Sequence, residues 1–149
     1  MNVPFGGAVA IGDTSAVVHA NHHAVRDEIV AALQSGQLVT CSMVTFELLY
    51  AAPNASAFDA VERAQAVLRD IPVTSSVQRA AIGALRELAQ LGAGNHRVTP
   101  ADALIAAAAA EAGMSVLHYD HHFDRLASVL NFNSIWLASP GTLETHTSV

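Results

Sequence analysis

Short apolar stretches alternate along this chain with longer segments that have helical periodicity. Four stretches are short and apolar enough for buried strands, and they lie at residues 8–11, 38–41, 114–120 and 133–137. Between them, apolar residues recur every three or four positions, as on one face of a helix, for example in 56–70 and 75–92. Strands that alternate with helices predict an α/β domain with a parallel sheet, whose strands are buried on both faces.

Several predicted helices have clear boundaries. The helix within 22–36 ends at a glycine, Gly36, and the helix that follows the second strand runs from Ser42 to Pro53. An alanine-rich helix over 100–112 begins after a loop at 92–97, and a last helix at 121–130 precedes the final strand. The pattern therefore predicts one α/β domain over 1–149, with residues 1–7 and 141–149 expected as mobile tails.

The composition favours a compact core and excludes a membrane span. The chain is 52% hydrophobic and 13% charged, with a mean hydropathy of +0.34. Its longest apolar run, 103–110, is far shorter than the roughly 20 residues that a span requires. Some apolar side chains are therefore expected at the surface for a partner. For Leu49, Tyr50 and Phe58, burial in the core is the expectation.

Net charge and cysteine content limit the binding partners and the compartment that the sequence predicts. A net charge of −6 is not typical of a protein that binds nucleic acid through a basic face, but it suits carboxylates that bind cations. Cys41 is the only cysteine, so no intramolecular disulfide can form and a reducing compartment is expected. The first residues lack a secretory signal pattern, and the expected location is the cytoplasm.

Four carboxylates occupy places where a ligand site is expected. Asp13 follows the first strand and Asp120 ends the strand at 114–120, and in a parallel sheet these carboxyl ends border the binding crevice. Asp102 lies in the first turn of the alanine-rich helix, and Glu47 lies inside an otherwise apolar helix. Each aspartate could serve only as a helix cap. If the four converge, their repulsion requires bound cations, and an all-oxygen cluster suits Mg²⁺ or Mn²⁺.

Four motifs resemble those of PIN-domain ribonucleases, and most closely the VapC toxins of bacterial toxin–antitoxin pairs. They are "AIGDTSAVV", "SMVTFELLYAA", "TPADALIAAAAAEAG" and "VLHYDHHFDRLA", in the order and approximate spacing of that family. The resemblance implies a three-layer fold with a short central parallel sheet flanked by helices. It also implies that Asp13, Glu47, Asp102 and Asp120 are the catalytic metal ligands. His122 stands where the family often has an aspartate, which leaves open whether His122 or Asp124 contributes to the site.

The resemblance also implies a reaction and partners. We expect a Mg²⁺-dependent endoribonuclease, with Mn²⁺ as a possible substitute, that acts as a toxin, forms a homodimer and is covered by a cognate VapB-type antitoxin. A metal held by carboxylates can supply the nucleophilic water and neutralise the phosphate. The residues predicted to contact the RNA or a bound water are Thr14, Ser15, Arg97, His121, His122 and Arg125.

Three alternatives remain at this point. The chain could be a non-catalytic α/β binding module in which the acids only cap helices. It could be a phosphotransferase with Asp13 as nucleophile, although Ser15 stands where a second aspartate is expected. It could bind Zn²⁺ through the histidines around Asp120, although structural zinc sites need four ligands and Cys41 is isolated.

Overall fold

Five parallel strands form the centre of the structure, a computed structural model that describes residues 3–144. The strand order is β3-β2-β1-β4-β5, and every neighbouring pair is parallel. The strands are β1 (Ala10–Gly12), β2 (Leu38–Cys41), β3 (Asp70–Ile71), β4 (Ser115–His118) and β5 (Ser134–Trp136).

Helices connect consecutive strands. They are α1 (Thr14–Val17), α2 (Arg26–Gln34), α3 (Ser42–Tyr50), α4 (Ala55–Ala66), α5 (Ser75–Leu91), α6 (Pro100–Ala112) and α7 (His122–Ala127). From β1 the chain continues to β2 and β3 on one side, and it then crosses to β4 and β5 on the other. The order therefore reverses beside β1, and a crevice opens between the carboxyl ends of β1 and β4.

Successive residues of the central strands enter two different cores. Ile11 and Val116 pack with α3, α5, α6 and α7 on one face of the sheet. Ala10 and Leu117 pack on the opposite face with residues of α1 and α2. Because side chains alternate along a strand, burial of both faces requires a helical layer on each side. The structure thus confirms the predicted α/β fold with three layers.

Alanine allows α6 to lie close to the sheet. This helix packs against α5, α3, α7, β1 and β4, and residues 105–109 are almost completely buried. Thr99 is the N-cap, and its hydroxyl accepts a hydrogen bond from Asp102 N at 3.3 Å. Pro100 occupies the first helical position, and Gly113 ends the helix with φ of 68°, a left-handed conformation that glycine adopts without strain.

Two expectations from the sequence are wrong. The helix predicted over 56–70 ends at Ala66, because Asp70 and Ile71 instead pair with β2 as an edge strand. Tyr50 and Phe58 are not in the core, since 94% and 39% of their surfaces are exposed. Leu49 is half-buried.

The structure describes only part of the two segments predicted as mobile tails, 1–7 and 141–149. Residues 4–7 form a 3₁₀ helix, where Phe5 N donates to Glu28 and Gln37 Nε2 donates to Pro4 O. Residues 1–2 of the first predicted tail and 145–149 of the second lie outside the described residues. The extent of the domain stays a prediction. Within residues 3–144, none of the helices has both the length and the apolar character needed to cross a membrane.

Candidate functional site

Three carboxylates from distant parts of the chain meet at the crevice beside β1. Asp13 directly follows β1, Glu47 comes from α3, and Asp102 comes from the first turn of α6. One oxygen atom from each lies within 4.8 Å of the others. Asp13 and Asp102 are 3% and 5% exposed, so two of the three charges are nearly removed from water.

Asp13 has one oxygen that is used by the protein and one that is not. Its Oδ2 accepts hydrogen bonds from Ser15 N at 3.0 Å and Ser15 Oγ at 2.6 Å, which caps α1. Its Oδ1 is buried, and among residues 3–144 it is the one buried side-chain oxygen or nitrogen without a hydrogen-bond partner. Buried polar atoms are nearly always paired, so Oδ1 points to a missing cationic partner. The capping role and a ligand role are therefore compatible in one residue.

The electrostatics of the three acids favour a bound cation. The pKa of Asp13 is raised to about 6, mainly by burial; the Ser15 hydroxyl opposes this shift, and the charges of Asp102 and Glu47 contribute to it. Burial is also the main cause of the raised pKa values of Asp102 and Glu47. A nearby positive charge stabilises the ionised form of carboxylates that repel one another and have lost water.

Glu47 and Asp102 are each held by a neighbouring side chain. The Thr14 hydroxyl donates to Glu47 Oε1 at 3.2 Å, which joins α1 to α3. Asp102 Oδ2 lies 2.9 Å from His122 Nδ1. In a capping box the acid would accept a hydrogen bond from the Thr99 backbone N–H, but Thr99 N instead donates to His122 Nδ1 at 3.5 Å. Asp102 therefore faces the crevice and not its own helix start.

Asp120 belongs to a second group of candidate metal ligands. Asp120, His122 and Asp102 offer one donor atom each within 4.8 Å, so Asp102 is common to both groups. Asp120 Oδ1 accepts from His122 N at 2.9 Å, and its Oδ2 lies 3.8 Å from His122 Nδ1. The structure thus brings Asp13, Glu47 and Asp102 together as expected, and it places Asp120 beside them through Asp102. Their roles as ligands stay a prediction.

A buried histidine that the sequence motifs did not single out for the site positions Asp120. His118 is completely buried in β4, and its Nδ1 accepts a hydrogen bond from Asp120 N at 3.2 Å. Its Nε2 lies 2.6 Å from Ser134 Oγ. Burial lowers the pKa of His118 to about 4, so the ring is neutral and Nε2 carries the proton. Since both nitrogens have protein partners, His118 does not offer a free ligand to zinc.

Asp124 is turned away from the acidic crevice. Its Oδ1 accepts from Ser134 Oγ at 2.8 Å, and its Oδ2 accepts from Trp136 Nε1 at 3.0 Å. These bonds tie α7 to β5 at an exposed position. Of the two residues that the sequence left open, His122 is the one that contacts the acids.

The remaining residues that were predicted to contact RNA differ in their protein contacts. Ser15 uses its hydroxyl for Asp13 and for Tyr119 N, from which it accepts at 2.9 Å. Arg125 donates to the Asn95 carbonyl at 3.3 Å. Arg97 and His121 are exposed. The ring of His121 packs edge-on against Trp136, with the ring centroids 4.8 Å apart. Their contact with RNA stays a prediction.

Family and sequence comparisons agree with the resemblance seen in the motifs. The model of the PIN domain family matches residues 10–129. Ribonuclease VapC18 of Mycobacterium tuberculosis is 39% identical over 127 residues, which cover 82% of this chain and 93% of that protein. Ribonuclease VapC51 of the same organism is 31% identical over 132 residues, which cover 89% and 95%.

Solved structures show the same fold. The crystal structure of DNA-bound VapBC from Salmonella typhimurium matches with a TM-score of 0.70 and 18% identity, over 88% of this chain and 99% of that one. VapBC-5 from Mycobacterium tuberculosis matches with a TM-score of 0.65 and 23% identity, over 87% and 98%. These identities support the fold alone. Together with the extent of the family match and the two sequence relatives, the shared fold shows that the chain belongs to the PIN-domain family.

Proposed function

We propose that this chain is a divalent-metal-dependent endoribonuclease and the toxin of a toxin–antitoxin pair. The observation that carries the metal-dependent chemistry is the buried Oδ1 of Asp13, which has no partner although the carboxylate of Asp13 meets those of Glu47 and Asp102. The choice of RNA as substrate is supported by relatives that are named ribonucleases and cover most of this chain.

The residues fit a hard divalent cation. Asp13, Glu47 and Asp102 provide only carboxylate oxygens, which suit Mg²⁺, and Mn²⁺ can replace it. When bound, such an ion lowers the pKa of a coordinated water and neutralises charge on the scissile phosphate.

The protein contributes the position and protonation state of these ligands. Ser15 fixes the Asp13 carboxylate through two hydrogen bonds to Oδ2 and leaves Oδ1 without a protein partner. Thr14 orients Glu47, and His122 orients Asp102. Since burial raises the pKa of Asp13 to about 6, this carboxylate is mostly ionised at pH 7 even before a cation stabilises it.

A protein partner is the second part of the proposal. The solved structures compared above are of VapBC proteins, which supports a VapB-type antitoxin for this chain. The chain also exposes apolar side chains that its own fold does not cover, including Tyr50, Val67 and Leu91. A homodimer or an antitoxin would bury these side chains if they lie in its interface. The cytoplasm is the proposed place of action, since a toxin of this kind acts on cellular RNA.

Cleavage of RNA by the purified chain tests the enzymatic proposal. We expect cleavage with Mg²⁺, loss of cleavage with EDTA, and loss of cleavage in Asp102→Asn with a cooperative melt retained. Asp59→Asn is the matched control, because Asp59 is an exposed carboxylate on α4 away from the crevice. Cleavage that persists in Asp102→Asn, or that EDTA does not affect, contradicts the proposal.

Expression in cells tests the toxin role. Induction of the chain without a partner should stop growth and create new RNA ends, and Asp102→Asn should do neither. Sequencing of the RNA ends would identify the substrate. Normal growth with an unchanged set of RNA ends, at equal protein levels, would favour a non-catalytic binding module. A phosphotransferase is disfavoured, because Ser15 binds Asp13 where such an enzyme needs a second acid.

A further inference from the structure

His122 is placed differently from the other histidines of the crevice. It begins α7, and its backbone N–H is fixed by Asp120 Oδ1 at 2.9 Å. Its side chain is 27% exposed, and Nδ1 lies 2.9 Å from Asp102 Oδ2 and 3.8 Å from Asp120 Oδ2. Two separate carboxylates thus converge on one ring nitrogen.

The group of Asp102, Asp120 and His122 is continuous with the three-acid site. Asp102 belongs to both, and its carboxylate is 92% buried. The first group contains the unpartnered Oδ1 of Asp13 and only oxygen donors. The second group contains two oxygen donors and one imidazole nitrogen. The two groups therefore differ in their donor atoms although both contain Asp102.

We propose that His122 is a nitrogen ligand of the metal site and that it makes the site bind Mn²⁺ in preference to Mg²⁺. This inference rests on the metal dependence given under the proposed function. Imidazole is a good ligand for transition metals, whereas Mg²⁺ favours oxygen ligands and water. An ion between Asp102 and Asp120 would meet the Nδ1 atom as its third protein ligand.

One ring nitrogen can serve both states of the site. Without an ion, Nδ1 lies 2.9 Å from Asp102 Oδ2 and 3.5 Å from Thr99 N, and the position of the ring proton decides whether Nδ1 donates to Asp102 or accepts from Thr99. In the neutral tautomer with the proton on Nε2, the lone pair of Nδ1 faces the same two carboxylates. Metal binding thus requires the tautomer with the proton on Nε2, which leaves the Nδ1 lone pair free for the ion.

Pulsed electron paramagnetic resonance on Mn²⁺ provides a direct test without RNA. The full chain is freed of metal with EDTA, loaded with Mn²⁺, and examined for spin-echo modulation from a directly coordinated nitrogen nucleus. We expect this modulation in the wild type and in His23→Ala, since His23 is an exposed histidine outside both ligand groups. We expect it to vanish in His122→Asp, which restores an oxygen donor and keeps the site able to bind metal.

Competition between ions gives the second readout. Mg²⁺ should displace Mn²⁺ from His122→Asp at a concentration at least about tenfold lower than from the wild type, which is the lower end of the effect of altering one metal-site residue. The inference is overturned if wild-type protein binds Mn²⁺ without nitrogen modulation, or if His122→Asp retains that modulation.

The two proposals fail in different ways. If the wild type cleaves RNA in a metal-dependent manner but shows no coordinated nitrogen, the metal-dependent nuclease stands and His122 only orients Asp102. If Mn²⁺ does not bind to the wild type at all, the proposed function and the role of His122 both fall.

Discussion

Replacement of Asp13 by asparagine should stabilise the metal-free protein and remove its response to metal. Asp13 is 3% exposed, and burial is the main cause that raises its pKa from 3.8 to about 6. A difference of about 2 pKa units corresponds to about 3 kcal/mol at 1.36 kcal/mol per unit. Ionisation of Asp13 above pH 6 therefore opposes folding by that amount, and asparagine avoids the charge while keeping an oxygen for Ser15.

The sign of the pH dependence follows from the two pKa values. The folded protein holds the Asp13 proton more tightly than the unfolded chain does. The contribution of this group to stability is therefore complete below pH 3.8, decreases as the pH rises to about 6, and is absent above it. Wild type and Asp13→Asn should unfold with nearly equal free energies near pH 4 and differ by about 3 kcal/mol at pH 7.

Urea unfolding measures the difference. In EDTA at pH 7, Asp13→Asn should be more stable than the wild type. The free energy of unfolding of the control variant, Asp59→Asn, should lie within about 0.5 kcal/mol of the wild-type value. At Mg²⁺ concentrations of 100 times Kd, the wild type should gain about 2.7 kcal/mol and Asp13→Asn much less. A variant that is less stable than the wild type in EDTA at pH 7 would refute the reasoning that Asp13 is a strained, buried carboxylate.

Three further predictions concern the surroundings of the site. Ser15→Ala removes the hydroxyl that joins Asp13 to the backbone of Tyr119, so urea unfolding should show a loss of about 1–3 kcal/mol, and an unchanged midpoint would contradict this bridge. Ala107→Leu adds volume to a completely buried position of α6 and should lower stability in thermal melts by about 1–3 kcal/mol, whereas an equal Tm would show that α6 has free space there. Burial raises the pKa of the Cys41 thiol, so a thiol reagent should label it in denaturant and not in the folded protein, and rapid labelling of the folded protein would contradict its burial.

The sequence by itself determined the order of most elements and the place of three acids. The period of apolar residues predicted strands and helices because burial on one or two faces imposes that period locally. Asp13 and Asp120 could be placed at the crevice because the carboxyl ends of parallel strands meet there, and Asp102 was singled out by its place in the first turn of the alanine-rich helix. Glu47 was identifiable because a charge is unusual on so apolar a helix.

Other features were decided only by the tertiary structure. The short strand at Asp70 and Ile71 exists because it can pair with the edge of β2, and no local pattern marks it. Ser15 meets Tyr119 across 104 residues, and the distance between such groups depends on how deeply helices pack on the sheet. The same packing places His122 on Asp102 and turns Asp124 towards Trp136, so the composition of the site beyond its three acids follows from the relative position of α6 and α7. Residue periodicity describes each element separately, and it contains no information on the distance between two side chains that only tertiary packing brings together.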